Sequence, residues 1–304
     1  MRLKDSWRML EDMGATLKFT VLVVGGTGES FDGDTRTEVT GLLRAVTDRL
    51  DARFESRWVG YPASYGPAPA HDGVSYVESV SAGVTNLARA IAAAERPVML
   101  IGYSQGAAVI RTLLAHPASL RFAGAIAAVG FVADPNQPPG VIDGCNGWGV
   151  AGPGADLPDD LPAYWVGAPS DMICNASDDS LIRDIADLTD SLSLTALRQW
   201  VVDATARVMS RRMQNADATR FSPAQWRRDV VRLRTAAREI RGYLPPTVEL
   251  GRWRVRNPLG GRHVSYASEP YRRAPMTAPD TTGCETLAHW LQLQATMGEL
   301  SRAG

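Results

Sequence analysis

Pro97-Val98-Met99-Leu100-Ile101-Gly102-Tyr103-Ser104-Gln105-Gly106-Ala107-Ala108-Val109-Ile110 runs from an apolar stretch, through a Gly-x-Ser-x-Gly pentamer, into an alanine-rich segment of helical character. A strand, a sharp turn and a helix in that order form the setting of a serine nucleophile elbow. The serine must stand on strained backbone, and the glycines two before and two after it keep side chains out of the adjoining strand and helix. The pentamer alone is weak evidence, because a glycine-bracketed turn can hold an ordinary serine. Here the segment from Ala107 to Leu114 can pack as a buried helix behind the serine. Its N-terminal dipole would then lower the energy of a Ser104 alkoxide.

Outward from the elbow, strands and helices alternate. Phe19 to Val24 reads as a first strand, Glu38 to Asp51 as a helix and Phe54 to Val59 as a second strand. Tyr76 to Glu95 reads as a long helix, with Val77, Val80, Val84, Leu87 and Ile91 at helical spacing. Beyond the elbow helix, Gly124 to Val132 and Ala163 to Val166 supply two more strands. This alternation predicts a doubly wound α/β fold with a mostly parallel sheet covered on both faces. The Pro/Gly-rich stretches Tyr61 to Gly73 and Pro135 to Pro162 read as turns or lids.

From about Asp178 to Leu244 the texture becomes helical, with three apolar stripes. The first is Leu181, Ile185, Leu188 and Leu192; the second is Leu197, Trp200, Val201, Ala204 and Val208; the third is Trp226, Val230, Leu233, Ala237 and Ile240. Ser222-Pro223 has the residue types of an N-cap and first-turn pair, and Asp178 and Asp179 read as caps of the first helix. The arginines here, including Arg207, Arg211, Arg212, Arg227, Arg228, Arg232 and Arg234, alternate with acids and read as a solvated face. The expected organisation is a core of residues 1–177 and 245–304, interrupted by a helical linker or cap at 178–244.

A serine nucleophile needs a base and an orienting acid, which on a parallel sheet follow it in the order Ser, Asp/Glu, His. Of four histidines, His71 and His116 precede any suitable acid, and His289 lies in a terminal helical pattern. His263 remains, on the glycine-rich stretch Asn257-Pro258-Leu259-Gly260-Gly261-Arg262, where a loop can carry an imidazole back to the elbow. Asp171, directly after the strand ending near Val166, is the expected acid, with Asp134 as competitor because it too follows a strand. The oxyanion donors should be the backbone N–H of Gln105 and one from Gly25-Gly26-Thr27-Gly28-Glu29-Ser30, with Thr27 the best candidate. That loop does not satisfy Gly-x-Gly-x-x-Gly cleanly and opens no helix, so no dinucleotide site is expected.

Composition narrows the field further. With 304 residues, 45% hydrophobic and 21% charged, the chain can bury one large core or one core plus a small appendage, and a net charge of -1 leaves no nucleic-acid footprint. The most apolar uncharged run, Phe122 to Ala133, falls short of the roughly 20 residues of a membrane helix, so no transmembrane segment is expected. Met1 to Gly14 has no continuous hydrophobic region and does not read as a secretory signal. Cys145, Cys174 and Cys284 leave an odd thiol and no metal-ligand spacing; neither metal nor cofactor is expected.

Several of these segments, in order, resemble the cutinase-like serine esterases. They are Val24 to Ser30, Tyr61-Pro62-Ala63-Ser64-Tyr65-Gly66, Glu78-Ser79-Val80 with Gly83, Gly102 to Ala107, Ser170-Asp171-Met172, and His263 with Tyr266-Ala267. Within that group the chain is most similar to the lysin B enzymes of mycobacteriophages, over about residues 19–177 and 250–290. The resemblance implies an α/β-hydrolase core with a helical linker before the histidine. It also implies cleavage of the ester joining mycolic acids to arabinogalactan during host lysis. Ser104, Asp171 and His263 would take the triad positions, and Thr27 and Gln105 the oxyanion positions. The implied partner is a lipid ester at the mycobacterial outer envelope, reached by a protein made in the host cytoplasm. Two departures stand out. Cutinases bracket the acid with a disulfide, whereas no cysteine lies just upstream of Asp171, and Phe131-Val132-Ala133-Asp134-Pro135 replaces the Gly-Asn-Pro expected after that strand.

Overall fold

The computed structural model describes residues 19–303, apart from 71, 123, 178–179, 190–222, 251–252 and 275. The expected strands form β1 (Phe19–Val24), β2 (Phe54–Trp58), β3 (Val98–Tyr103), β4 (Ile126–Val132) and β5 (Ala163–Val166). All neighbours pair in parallel, in the order β2-β1-β3-β4-β5. β1 and β3 are buried along their whole length, which is why both read as unbroken apolar runs rather than as alternation. The fold is a doubly wound α/β fold with a five-stranded parallel sheet covered on both faces.

One face of the sheet is covered by α2 (Tyr76–Ala92) and α3 (Gln105–Ala115). There Leu22, Leu100, Val129 and Phe131 pack against Leu87, Ile91, Val109 and Leu113. The start of α2 is set by Ser75, whose hydroxyl accepts from Glu78 N–H while the Glu78 carboxylate accepts from Ser75 N–H. Such a cap contributes about 1 kcal/mol. The opposite face carries the C-terminal helix Gly283–Ala303, whose Leu287 and Leu291 meet Val21, Val23 and Ile101.

The helix expected over Glu38 to Asp51 is reduced to one short turn, α1 (Arg44–Thr47). Gly41 lies at φ +68, and the Leu42 N–H is held at 2.7 Å by the Glu29 carboxylate, which also accepts from Gly26 N–H. A helix cannot propagate back through a left-handed residue whose neighbour already donates elsewhere. Glu29 thereby ties this segment to the loop after β1.

Of the three expected insertion helices, two are described: α4 (Leu181–Thr189) and α5 (Pro223–Tyr243). The middle stripe, the caps Asp178 and Asp179, and Ser222 lie outside the described residues. The packing face of α5 differs from the expected stripe. Val230, Leu233 and Ile240 are exposed, whereas Arg232 and Ala236 are buried. Polar contacts choose that face. Arg232 pairs with Asp184 at 2.6 Å, so it does not belong to a solvated row, and Glu239 accepts from Ser177 N–H and the Ser180 hydroxyl. With Arg232 buried, turning the helix away from Asp184 would leave an uncompensated charge, so the pair fixes this face. After α5 an antiparallel hairpin, β6 (Thr247–Leu250) and β7 (Trp253–Arg256), leads to the histidine loop; periodicity did not reveal it. The C-terminal helix Gly283–Ala303 is α6.

Candidate active site

The strand order reverses at β1. The chain steps from β1 to β2 on one side and returns to β3 on the other, opening a crevice at the carboxyl ends of β1 and β3. The loop after β1 and Ser104 after β3 both stand there. Ser104 has φ 52 and ψ -117, a strained conformation that L residues rarely adopt. The turn is tight enough that a Cβ at Gly106 would lie 2.1 Å from the Val24 carbonyl oxygen, and one at Gly102 would lie 2.7 Å from the Ala107 nitrogen. Gly106→Ala should therefore push α3 off β1 and lower stability by about 3 kcal/mol. Urea denaturation measures this, and an unchanged midpoint would show that the elbow has room.

His263 lies on a 3-10 turn, Arg262–Ala267, entered through Gly261 at φ 77. Its Nε2 is 3.0 Å from Ser104 Oγ and its Nδ1 is 2.9 Å from Asp171 Oδ2. The three residues expected to act together are thus brought into one hydrogen-bonded chain. The Asp171 carboxylate is fully buried and also accepts from the Tyr266 hydroxyl at 2.6 Å and from Ile173 N–H at 3.0 Å. Burial pushes this carboxyl up, but the facing imidazole and these donors outweigh it, leaving its pKa below the ordinary value. Asp171 thus stays ionised opposite the imidazole. Burial and the Asp171 charge drive the Tyr266 phenol well above its ordinary value, which keeps it a donor.

The competing residues are placed elsewhere. Asp134 is buried against Arg111 Nη1 at 3.2 Å and Trp165 Nε1 at 3.1 Å, and it accepts from Asn136 N–H. Burial pushes its carboxyl up against the opposing pull of Arg111. His116 ends α3, where its ring accepts from Ala118 N–H, and His289 is exposed on α6. His71 is outside the described residues.

Thr27 and Gln105 both line the cleft beside Ser104. The Thr27 N–H has no acceptor among the described residues, and Gln105 N–H is at the first position of α3, where a helix supplies none. The Gln105 side chain is buried: its amide donates to the Ser64 carbonyl at 2.8 Å, and its oxygen lies 3.3 Å from the Tyr61 hydroxyl. That hydroxyl donates to the Gly25 carbonyl at 2.7 Å. The residue after the serine therefore clamps the elbow, the Tyr61–Ser64 segment and the loop after β1 together. Neither periodicity nor spacing points to these roles of Tyr61, Ser64 or the Gln105 side chain. The only signal was a polar side chain directly after Ser104, in a helix otherwise apolar at its start.

The cleft has a volume of about 450 Å³, and its walls include Val150, Met172, Ile173, Ile182 and Ile185, with α4 forming one side. The Tyr65 and Thr189 hydroxyls meet at 2.7 Å across it. All three cysteines are free and buried, and the Cys174 thiol lies 3.7 Å from the Tyr266 hydroxyl. Among the described residues no helix is long and apolar enough to cross a membrane, and no cluster of ligands for a metal occurs.

Residues 53–156 match the family model of the PE-PPE domain. The matched segment holds Ser104 and ends before Asp171 and His263. No curated protein matches the chain. Lysin B from mycobacteriophage D29 is similar in structure at 15% identity, over 91% of this chain and 100% of that one, with a TM-score of 0.47. The catalytic core domain of acetyl xylan esterase from Trichoderma reesei is 18% identical over 62% of this chain and 97% of its own, with a TM-score of 0.39. A cutinase-like protein from Cryptococcus sp. is 14% identical over 62% and 90%, with a TM-score of 0.35.

Proposed function

We propose that this chain is a serine carboxylic-ester hydrolase acting on lipid esters. The observation that carries the reading is the chain of hydrogen bonds from Ser104 through His263 to Asp171, at the mouth of an apolar cleft. In this reading Ser104 Oγ attacks the ester carbonyl while His263 Nε2 takes its proton, and the oxyanion receives hydrogen bonds from the Thr27 and Gln105 N–H groups. The imidazolium then protonates the departing alkoxide, leaving an acyl-Ser104. Water, deprotonated by the same imidazole, cleaves it to the free acid and restores the serine. Asp171 holds the imidazole tautomer and stabilises its positive charge without taking the proton.

The finer reading is hydrolysis of the ester between mycolic acids and arabinogalactan during phage-induced lysis, by a protein made in the host cytoplasm that reaches the envelope as the cell opens. It is supported by the ordered motifs around Thr27, Ser104, Asp171 and His263, and by a cleft with apolar walls suited to an acyl chain. Residues 178–244 then form a cap over a core of 1–177 and 245–304. Incubation of the protein with purified mycolyl-arabinogalactan should release free mycolic acid. Turnover confined to small soluble esters would instead favour a cutinase-like esterase.

The cleft also makes a test of chain length. Ile185 lines it yet is 53% exposed, so Ile185→Asp should leave the fold intact while placing a charge against the acyl chain. We expect kcat/KM for a sixteen-carbon p-nitrophenyl ester to fall by about tenfold or more, with the acetyl ester changed less than about twofold. Equal loss on both esters would remove α4 from the acyl site.

A further inference from the structure

His263 has aromatic neighbours from two different parts of the chain. Tyr103, at the end of β3, stacks on the imidazole with centroids 5.0 Å apart, and its hydroxyl donates to the His263 carbonyl at 3.0 Å. Tyr243, the last residue of α5, meets the imidazole at 5.2 Å and a tilt of 37°. The first contact belongs to the core that carries the serine. The second comes from the helical insertion.

The end of α5 is fastened to both loops that complete the site. The Asn257 amide donates to the Arg241 carbonyl at 2.7 Å, and the Gly261 N–H donates to the Leu244 carbonyl at 2.7 Å. A Cβ at Gly242 would lie 2.6 Å from the Ser170 carbonyl oxygen, so the helix end is pressed against the acid loop. The end of α5 is thus held between the segment bearing Asp171 and the turn bearing His263, with the Tyr243 ring on the imidazole. The Tyr243 hydroxyl has no hydrogen-bond partner among the described residues, so the ring makes the contact.

We propose that Tyr243 is a positioning residue for His263, through which the insertion holds the imidazole in line with Ser104. Two hydrogen bonds, at Nδ1 and Nε2, leave the ring free to rock about the line joining them. Ring contacts on the imidazole limit that rocking. Tyr243 also lines the cleft, so the end of α5 borders both the space for an acyl chain and the imidazole. This inference rests on the proposed ester hydrolysis.

The test compares Tyr243→Phe, Tyr243→Leu and Tyr243→Ala on p-nitrophenyl acetate, which is too short to fill the cleft. Tyr243 is 42% exposed, so thermal unfolding should stay cooperative and within a few degrees of the parent. We expect Tyr243→Phe to keep kcat within about twofold. The Leu and Ala variants should lose about 10- to 100-fold in kcat with KM changed less than about threefold, the pattern of a misplaced catalytic group. Their rate of inactivation by a p-nitrophenyl phosphonate, which reports Ser104 nucleophilicity directly, should fall in parallel. If only Tyr243→Ala unfolds, Tyr243→Leu carries the comparison. Unchanged kcat in Tyr243→Leu would overturn the proposal, as would equal loss in Tyr243→Phe or a change confined to KM. Ser104→Ala, run alongside, separates the two levels. If it stays active the ester-hydrolase reading falls, whereas an inactive Ser104→Ala beside a fully active Tyr243→Leu removes only the role of Tyr243.

Discussion

Ser104→Ala should fold like the parent and lose about 10⁴-fold or more in kcat on a short p-nitrophenyl ester. The side chain removed is one hydroxyl on a turn whose shape depends on Gly102, Gly106 and the Gln105 clamp, so the elbow should persist without it. Members of a triad act as a unit. His263→Ala should therefore lose a comparable amount, and the double variant should be hardly worse than either single one. Steady-state kinetics on protein shown by circular dichroism to be folded decides the matter. Near-parental turnover by Ser104→Ala would sink the assignment of the nucleophile.

The second large effect separates two buried carboxylates that look alike in sequence. Asp171→Asn should keep the fold and lose up to about 10⁴-fold in kcat, because an amide opposite Nδ1 favours the wrong imidazole tautomer. Asp134→Asn should do the reverse. It leaves the Arg111 guanidinium without its buried counter-charge and should cost about 3 kcal/mol of stability, while folded molecules keep parental turnover. Measuring kcat and the denaturation midpoint for both variants gives a crossed pattern. If Asp134→Asn cripples turnover and Asp171→Asn is nearly silent, the acid belongs to the end of β4.

The parts of the site that were legible in sequence share a cause. The glycines at 102 and 106, set between an apolar strand and an alanine-rich helix, mark Ser104 from the segment around it. The strands are buried on both faces and read as apolar runs. Chain order then left few choices for the later partners, and His263 and Asp171 stood on loops of the right kind. The helix expected over Glu38 to Asp51 failed because its first half is tied to Glu29, more than ten residues upstream, by a bond that no helical pattern announces. The stripe assigned to α5 failed for a related reason. Periodicity finds an apolar face, but the face that packs was chosen by Arg232 with Asp184 and Glu239 with Ser180.

By itself, then, the sequence determined the doubly wound sheet, the elbow and its histidine, and narrowed the acid to Asp171 or Asp134, because strand burial, turn geometry and triad order are set by local residue types and by chain order. Only the tertiary structure decided that Gln105 clamps the elbow from the side-chain end, that Tyr266 shares the Asp171 carboxylate, that Asp134 belongs to Arg111, and that the end of α5 brings Tyr243 onto His263. These pairings join residues as much as 95 positions apart. Each depends on which polar group finds a partner once water is excluded, and that is settled by packing in three dimensions rather than by spacing along the chain.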